Sequence, residues 1–128
     1  MPHEIVTESN SVGVVISFSG VVSGAELIDL NRSVVDDQSF SQCRYQVWDL
    51  SKVTRLDVTI EDLRSISQQD IAASGKNPNL RIAIVGSQEL FGGKDQIFRI
   101  YEEVWTTYRP KFFSDVEAAK EWATGDDP

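Results

Sequence analysis

The sequence predicts an α/β domain built on a largely parallel mixed sheet of about five strands with four helices, in the order β-β-α-β-α-β-α-β-α. Three observations lead there. Short β-branched runs alternate with stretches whose apolar residues recur at helical spacing. Two of the helical stretches open on capping patterns, Ser23 with Glu26 and Thr59 with Asp62. Leu80 to Val85 is a near-continuous apolar run closed by Gly86, as expected of a strand covered on both faces. No internal repeat or linker divides the chain, so residues 1–128 read as a single domain.

Ile5–Glu8 and Gly13–Gly20 flank the turn-forming Ser9-Asn10-Ser11 and predict an antiparallel hairpin, with the short, charged first strand at an edge. A helix over about 24–37 follows, with Leu27, Ile28, Leu30, Val34 and Val35 on one face. Residues 44–50 read as a strand from their aromatic and β-branched content. The second helix starts at Thr59, carries Ile60, Leu63, Ile66 and Ile71 on its inner face, and ends at Ser74-Gly75. The third, over 95–108, shows the clearest pattern, with Ile97, Ile100, Tyr101, Val104, Trp105 and Tyr108 along one side until Pro110 stops it. Lys111–Phe113 make a last short strand, and Ser114 is the expected cap of a final helix that turns Val116, Ala119 and Trp122 inward.

Composition narrows the function. With 41% apolar residues over 128 positions, the chain needs neither disulfide, metal nor cofactor to fold. Twelve basic against twenty acidic side chains give a net charge of -8 with no basic cluster, which argues against nucleic acid as a partner, because that affinity is largely counterion release. No apolar run approaches the ~20 residues that span a bilayer and the N-terminus has no leader pattern, so the expectation is a protein of the cytoplasm, not embedded in membrane. A homodimer is left open.

Catalytic chemistry has little to stand on. His3 is the single histidine, which removes the usual acid/base group and the Ser-His and Cys-His arrangements, and leaves a metal only carboxylates. Cys43, the single cysteine, has Arg44 beside it but reads as a small buried hydrophobe. The stretch from Val85 to Asp95 lies between a strand and a helix, where a phosphate loop would sit, yet Gln88 and Asp95 break that spacing. Gly92 and Gly93 are kept as ligand-contact candidates, since strand-end loops carry ligands in open α/β sheets. Asn31 falls in the middle of the apolar face of the first helix. A buried amide without partners costs about 1–3 kcal/mol, so it must bond a neighbouring loop or a ligand.

Asp49-Leu50-Ser51-Lys52-Val53-Thr54-Arg55-Leu56-Asp57-Val58-Thr59 resembles the phosphorylation loop of STAS domains, the anti-sigma-factor antagonists, whose pattern is Asp-Leu-Ser-x-Val-x-x-x-Asp-Ser-Ser/Thr-Gly. Asp49, Leu50, Ser51, Val53 and Asp57 match in register, and Thr59 falls on the position of that family's phosphorylated hydroxyl; Val58 and Ile60 replace its small residues. On physical grounds Thr59 is a helix N-cap whose oxygen accepts the Asp62 amide. The tail, Phe112-Phe113-Ser114-Asp115-Val116-Glu117-Ala118-Ala119-Lys120-Glu121-Trp122, is similar to the ending of SpoIIAA-like bacterial proteins, which share their architecture with STAS and lipid-carrying CRAL-TRIO (Sec14) domains. The resemblance spans nearly the whole chain and implies a non-enzymatic binding or regulatory module.

Three functions follow. The first is protein interaction, with Asp57, Thr59, Glu61 and Arg64, and Gln68 beyond them, facing a protein partner. The second is a carrier or sensor of a small apolar ligand, with Asn31, Gly92, Gly93, Tyr101 and Trp105 as contacts. The third is an enzyme using a carboxylate pair such as Asp49 and Asp57. A dry, aromatic-lined cavity would favour the carrier, and a tightly packed interior with an exposed apolar patch near the second helix the interaction module.

Overall fold

The computed structural model describes residues 3–9, 12–93, 108 and 110–125. Its sheet comprises β1 (His3–Ser9), β2 (Gly13–Ser23), β3 (Tyr45–Asp57), β4 (Arg81–Val85) and β5 (Lys111–Phe113), side by side in that order. β2 to β5 run parallel and β1 pairs antiparallel with β2 at the edge. Three α-helices are described in place of the expected four: α1 (Gly24–Asp36), α2 (Ile60–Ala73) and α3 (Val116–Thr124), with a 3-10 turn at Gln38–Gln42. The helix expected over 95–108, with Tyr101 and Trp105, lies outside the described residues except for Tyr108. His3, expected at a free terminus, opens β1 opposite Gly20.

The alternation of side chains along each strand divides the core into two layers. On one face Val14, Ile16 and Phe18 of β2, Trp48 and Leu50 of β3 and Ile82 of β4 pack with Leu27 of α1 and Ala73 of α2. On the other, Tyr45, Val47, Ala83 and Val85 meet Ala119 and Ala123 of α3. β4 is thus covered on both sides, which is why Ile82 to Val85 are apolar throughout. Arg81 ties α3 to the sheet: its Nη1 donates to the Trp122 carbonyl at 2.7 Å and to Gly125 O at 3.2 Å, satisfying carbonyls left over at the helix end.

Four details depart from the sequence reading. β3 extends to Asp57 instead of ending near Leu50, because it carries an extra residue at two register shifts against β2, between Ser17 and Ser19 and between Gly20 and Val21. Each bulge resets the alternation, so Leu50, Val53 and Leu56, three residues apart, all turn to the α1–α2 face. Gly20, at the second shift, has φ 76°, a conformation that a side chain would strain. Ile71 of α2 is 48% exposed; the buried positions are Ser67, Asp70 and Ala73, three residues apart, on the row adjoining Ile60, Leu63 and Ile66. The cap of α3 is Asp115, not Ser114, its carboxylate accepting the Glu117 and Ala118 amides. Asn31 is bonded by side chains of α2, not by a loop.

Candidate functional site

Two places bring candidate residues together. The first is the ridge where β3 ends and α2 begins. Thr59 is the N-cap of α2: its hydroxyl accepts the Asp62 amide at 3.1 Å while Asp62 Oδ2 accepts the Thr59 N–H at 3.0 Å. Val58 and Ile60 turn inward on either side, which leaves Thr59 exposed. Arg55 pairs with Asp57 through two hydrogen bonds, at 3.0 and 2.9 Å, and Arg64 with Glu61, one helical turn apart. All four of these charged side chains lie in solvent. Exposed ion pairs contribute at most about 1 kcal/mol each, so the fold does not depend on this concentration of charge.

The second is a cavity of about 300 Å³ between the sheet and α2. Gln46, Trp48 and Leu50 of β3, with Ile82 and Ile84 of β4 and Phe112 of β5, form its floor. Ile60, Leu63, Ile66 and Asp70 of α2 and Leu27 and Asn31 of α1 form its roof, and Leu56, Val58 and the Leu90–Gly92 loop close its sides. The loop is held by the Ser87 hydroxyl, which accepts the Leu90 amide at 3.0 Å, and Phe91 stands edge-on to Phe112 at 5.4 Å. Gly92 has φ 83°, so the turn that brings this loop to the cavity requires its missing side chain.

The lining is apolar but for Asn31, Asp70 and Gln46. Asn31 Nδ2 donates both hydrogens, to Gln69 Oε1 at 2.8 Å and Asp70 Oδ1 at 3.2 Å, and Gln69 Nε2 reaches back to the Ile28 carbonyl at 3.3 Å. This network docks α1 on α2. Gln46 Oε1 accepts the Trp48 indole N–H at 2.9 Å. Of the residues singled out from the sequence, the cavity unites Asn31 and Gly92, and Gly93 lies beside them in the loop; Tyr101 and Trp105 are outside the described residues. Gln46 and Asp70 were not singled out. The alternation in Tyr45-Gln46-Val47-Trp48 disguises a polar residue in a buried strand, and Asp70 falls in a run of polar helix residues.

The remaining candidates separate. Asp49 and Asp57 pair with Ser17 and Ser23, six residues apart on β2, roughly 20 Å at strand rise, so they form no carboxylate pair. Asp49 is occupied by Ser51, whose amide and hydroxyl it accepts at 3.0 and 2.6 Å. Burial pushes the Cys43 thiol above its ordinary value, against a smaller opposing pull from the Tyr45 backbone, and the thiol donates to the Tyr45 carbonyl at 3.1 Å, which is the opposite of a reactive thiolate. Among the described residues no group of three His, Cys, Asp or Glu side chains is arranged to hold a metal, and no helix is long and apolar enough to cross a membrane.

Tyr108 donates its hydroxyl to the Asn77 carbonyl. Burial, then the charges of Asp70 and Cys43, pushes its phenol from 10.0 up to about 12. The folded state holds this proton more tightly than the unfolded one, so its contribution is complete below pH 10 and is lost as pH climbs to about 12. Urea denaturation across that window is expected to show stability falling with pH, and a smaller fall in Tyr108→Phe.

Among the described residues, four parallel strands with an antiparallel edge strand, two helices on one face and one on the other give the chain a SpoIIAA-like fold. It superimposes on an anti-sigma factor antagonist from Mycobacterium paratuberculosis with a TM-score of 0.63 at 16% identity, over 96% of this chain and 95% of that one. It also superimposes on an uncharacterised DUF3478-family protein with a SpoIIAA-like fold from Shewanella loihica, with a TM-score of 0.55 at 16% identity, over 94% and 93% of the two chains. No protein-family model and no curated protein matches the sequence.

Proposed function

We propose that this chain is a non-enzymatic regulatory module of the cytoplasm that binds a protein through the ridge from Arg55 to Arg64. The observation that carries the reading is the exposure of Thr59 and its four charged neighbours at the start of α2, on a fold shared with an anti-sigma factor antagonist. Thr59 holds the position at which STAS domains carry their phosphorylated hydroxyl, and the surrounding charges have no structural task that would account for them. The test exchanges Glu61→Lys with Arg64→Glu, which keeps a pair at the same helical spacing but reverses its polarity. A control exchanges Glu117→Lys with Lys120→Glu on α3, at the opposite face. Affinity purification from the native host is expected to recover a partner with wild type and control and to lose it with the ridge variant; equal recovery by all three sinks the reading. Thr59→Asp retains the cap, because aspartate caps as well as threonine. Identical partners for Thr59→Asp and Thr59→Ala assign Thr59 to capping alone; a partner lost only with aspartate makes it a switch.

The cavity favours a second reading, a carrier or sensor of a small apolar molecule. Interiors of this size are ordinarily filled to crystal-like density, and about 300 Å³ of apolar-walled space is the lower end of what ligand sites occupy. Calorimetric titration with ethylbenzene tests it, with saturable binding expected in wild type and weakened binding in Leu63→Phe, whose ring narrows the space.

A further inference from the structure

Resting on the carrier reading, we infer that the cavity selects a neutral, compact apolar molecule with one hydrogen-bond-accepting oxygen, and that Gln46 Nε2 is the group that recognises it. Gln46 is 2% exposed, and an amide buried to that degree has to place all its polar atoms. Its orientation is fixed by Trp48: the indole N–H can only donate, so the oxygen must face it and the amino group points away. Among the described residues nothing accepts a hydrogen bond from that amino group. No side-chain nitrogen or oxygen of those residues is both sealed from solvent-sized space and unpartnered, so Nε2 keeps its opening. The cavity that Gln46 lines is the space it opens onto.

The neighbouring groups set the rest of the specificity. Asn31 has committed both amide hydrogens to Gln69 and Asp70, so it has no donor left for a guest. Asp70 adds a carboxyl group to the roof of the same cavity and no described lining residue is cationic, so a guest carboxylate would lose its hydration in an apolar surround with no counter-charge to pair it. An anionic head is therefore disfavoured. A ketone, ester or alcohol oxygen, by contrast, meets the Gln46 donor without losing a charge's hydration. Trp48, Phe91 and Phe112 supply aromatic walls for the body of the guest. The volume of about 300 Å³, at roughly 30 Å³ for each water-sized unit, suits a guest of about ten non-hydrogen atoms.

The experiment titrates the protein with acetophenone, ethylbenzene and benzoate, which match in size and differ in acceptor and charge. Calorimetry is expected to rank acetophenone about fivefold to tenfold above ethylbenzene, the worth of one buried hydrogen bond, and at least tenfold above benzoate. In Gln46→Met, which keeps the length and removes the donor, acetophenone should fall to the level of ethylbenzene while ethylbenzene stays within about twofold of wild type. Should that variant fail to fold, the side-chain amide resonance of Gln46 in the wild type decides: acetophenone should shift it and ethylbenzene should not. Equal affinity for all three compounds, or a Gln46 resonance unmoved by acetophenone, overturns this assignment and leaves the carrier reading standing. Binding of none of them overturns both, and means that the chain's own side chains take up the space.

Discussion

Phe18→Ala is expected to lower stability by about 3–5 kcal/mol, the largest single-residue effect in the described core. The ring is 2% exposed and stacks on Trp48 with centroids 5.8 Å apart and planes 14° from parallel. Both terms of a large-to-small change apply: the transfer free energy of a phenyl group is lost, and the void left behind lies on the α1–α2 face of the sheet beside Trp48, where the rigid sheet below holds it open. Phe18→Leu fills most of the void and keeps the apolar contact, so a loss below about 1.5 kcal/mol is expected. Urea denaturation of the two variants side by side measures the difference. A loss under about 1 kcal/mol for alanine would show that Trp48 and its neighbours collapse into the space, and would leave the layer below α1 and α2 less constrained than its burial indicates.

Asn77→Ala is expected to cost about 2–4 kcal/mol, although the residue sits in a loop. Asn77 is 7% exposed. Its amide donates to the Phe40 carbonyl at 2.8 Å and to the Cys43 carbonyl, so one side chain ties the 3-10 turn to the segment entering β3, and its own backbone carbonyl receives the Tyr108 hydroxyl. Phe40 O also accepts the Cys43 amide and so stays bonded after the change; Cys43 O has no other acceptor bond among those described. The main cost is that half-buried carbonyl left without a donor, with the lost bond to Phe40 O and the small cavity added. Asn77→Asp, nearly the same shape, cannot donate when ionised and is expected to be at least as damaging. Thermal unfolding of the pair separates hydrogen bonding from packing: if aspartate were tolerated while alanine was not, shape and not donation would be the function of the residue.

Much of the architecture could be read from local sequence because local chemistry determines it. Ser23 with Glu26 and Thr59 with Asp62 set the starts of α1 and α2 through bonds made within three residues, independent of what packs above them. The apolar run of β4 requires cover on both faces wherever the strand is placed. The parallel order of β2 to β4 follows from α1 and α2, which separate them in sequence. What the chain could not disclose locally are features created by pairing at a distance. Leu50, Val53 and Leu56 have a spacing that fits no regular strand, and only the bulges against β2 put them on one face. Ile71 belongs by residue type to the inside of α2, yet the helix is rotated by its contact with α1, where Asn31 bonds Asp70, so polar residues are buried and an isoleucine is exposed. Gln46 lies in an unremarkable alternating strand, and its importance comes from Trp48, which claims its oxygen and turns the remaining donor away. Hydrophobic period and capping are properties of neighbours in sequence; the cavity, its one polar corner and the separation of Asp49 from Asp57 depend on register and on where three different elements meet, which is decided only when the sheet has closed under α1 and α2.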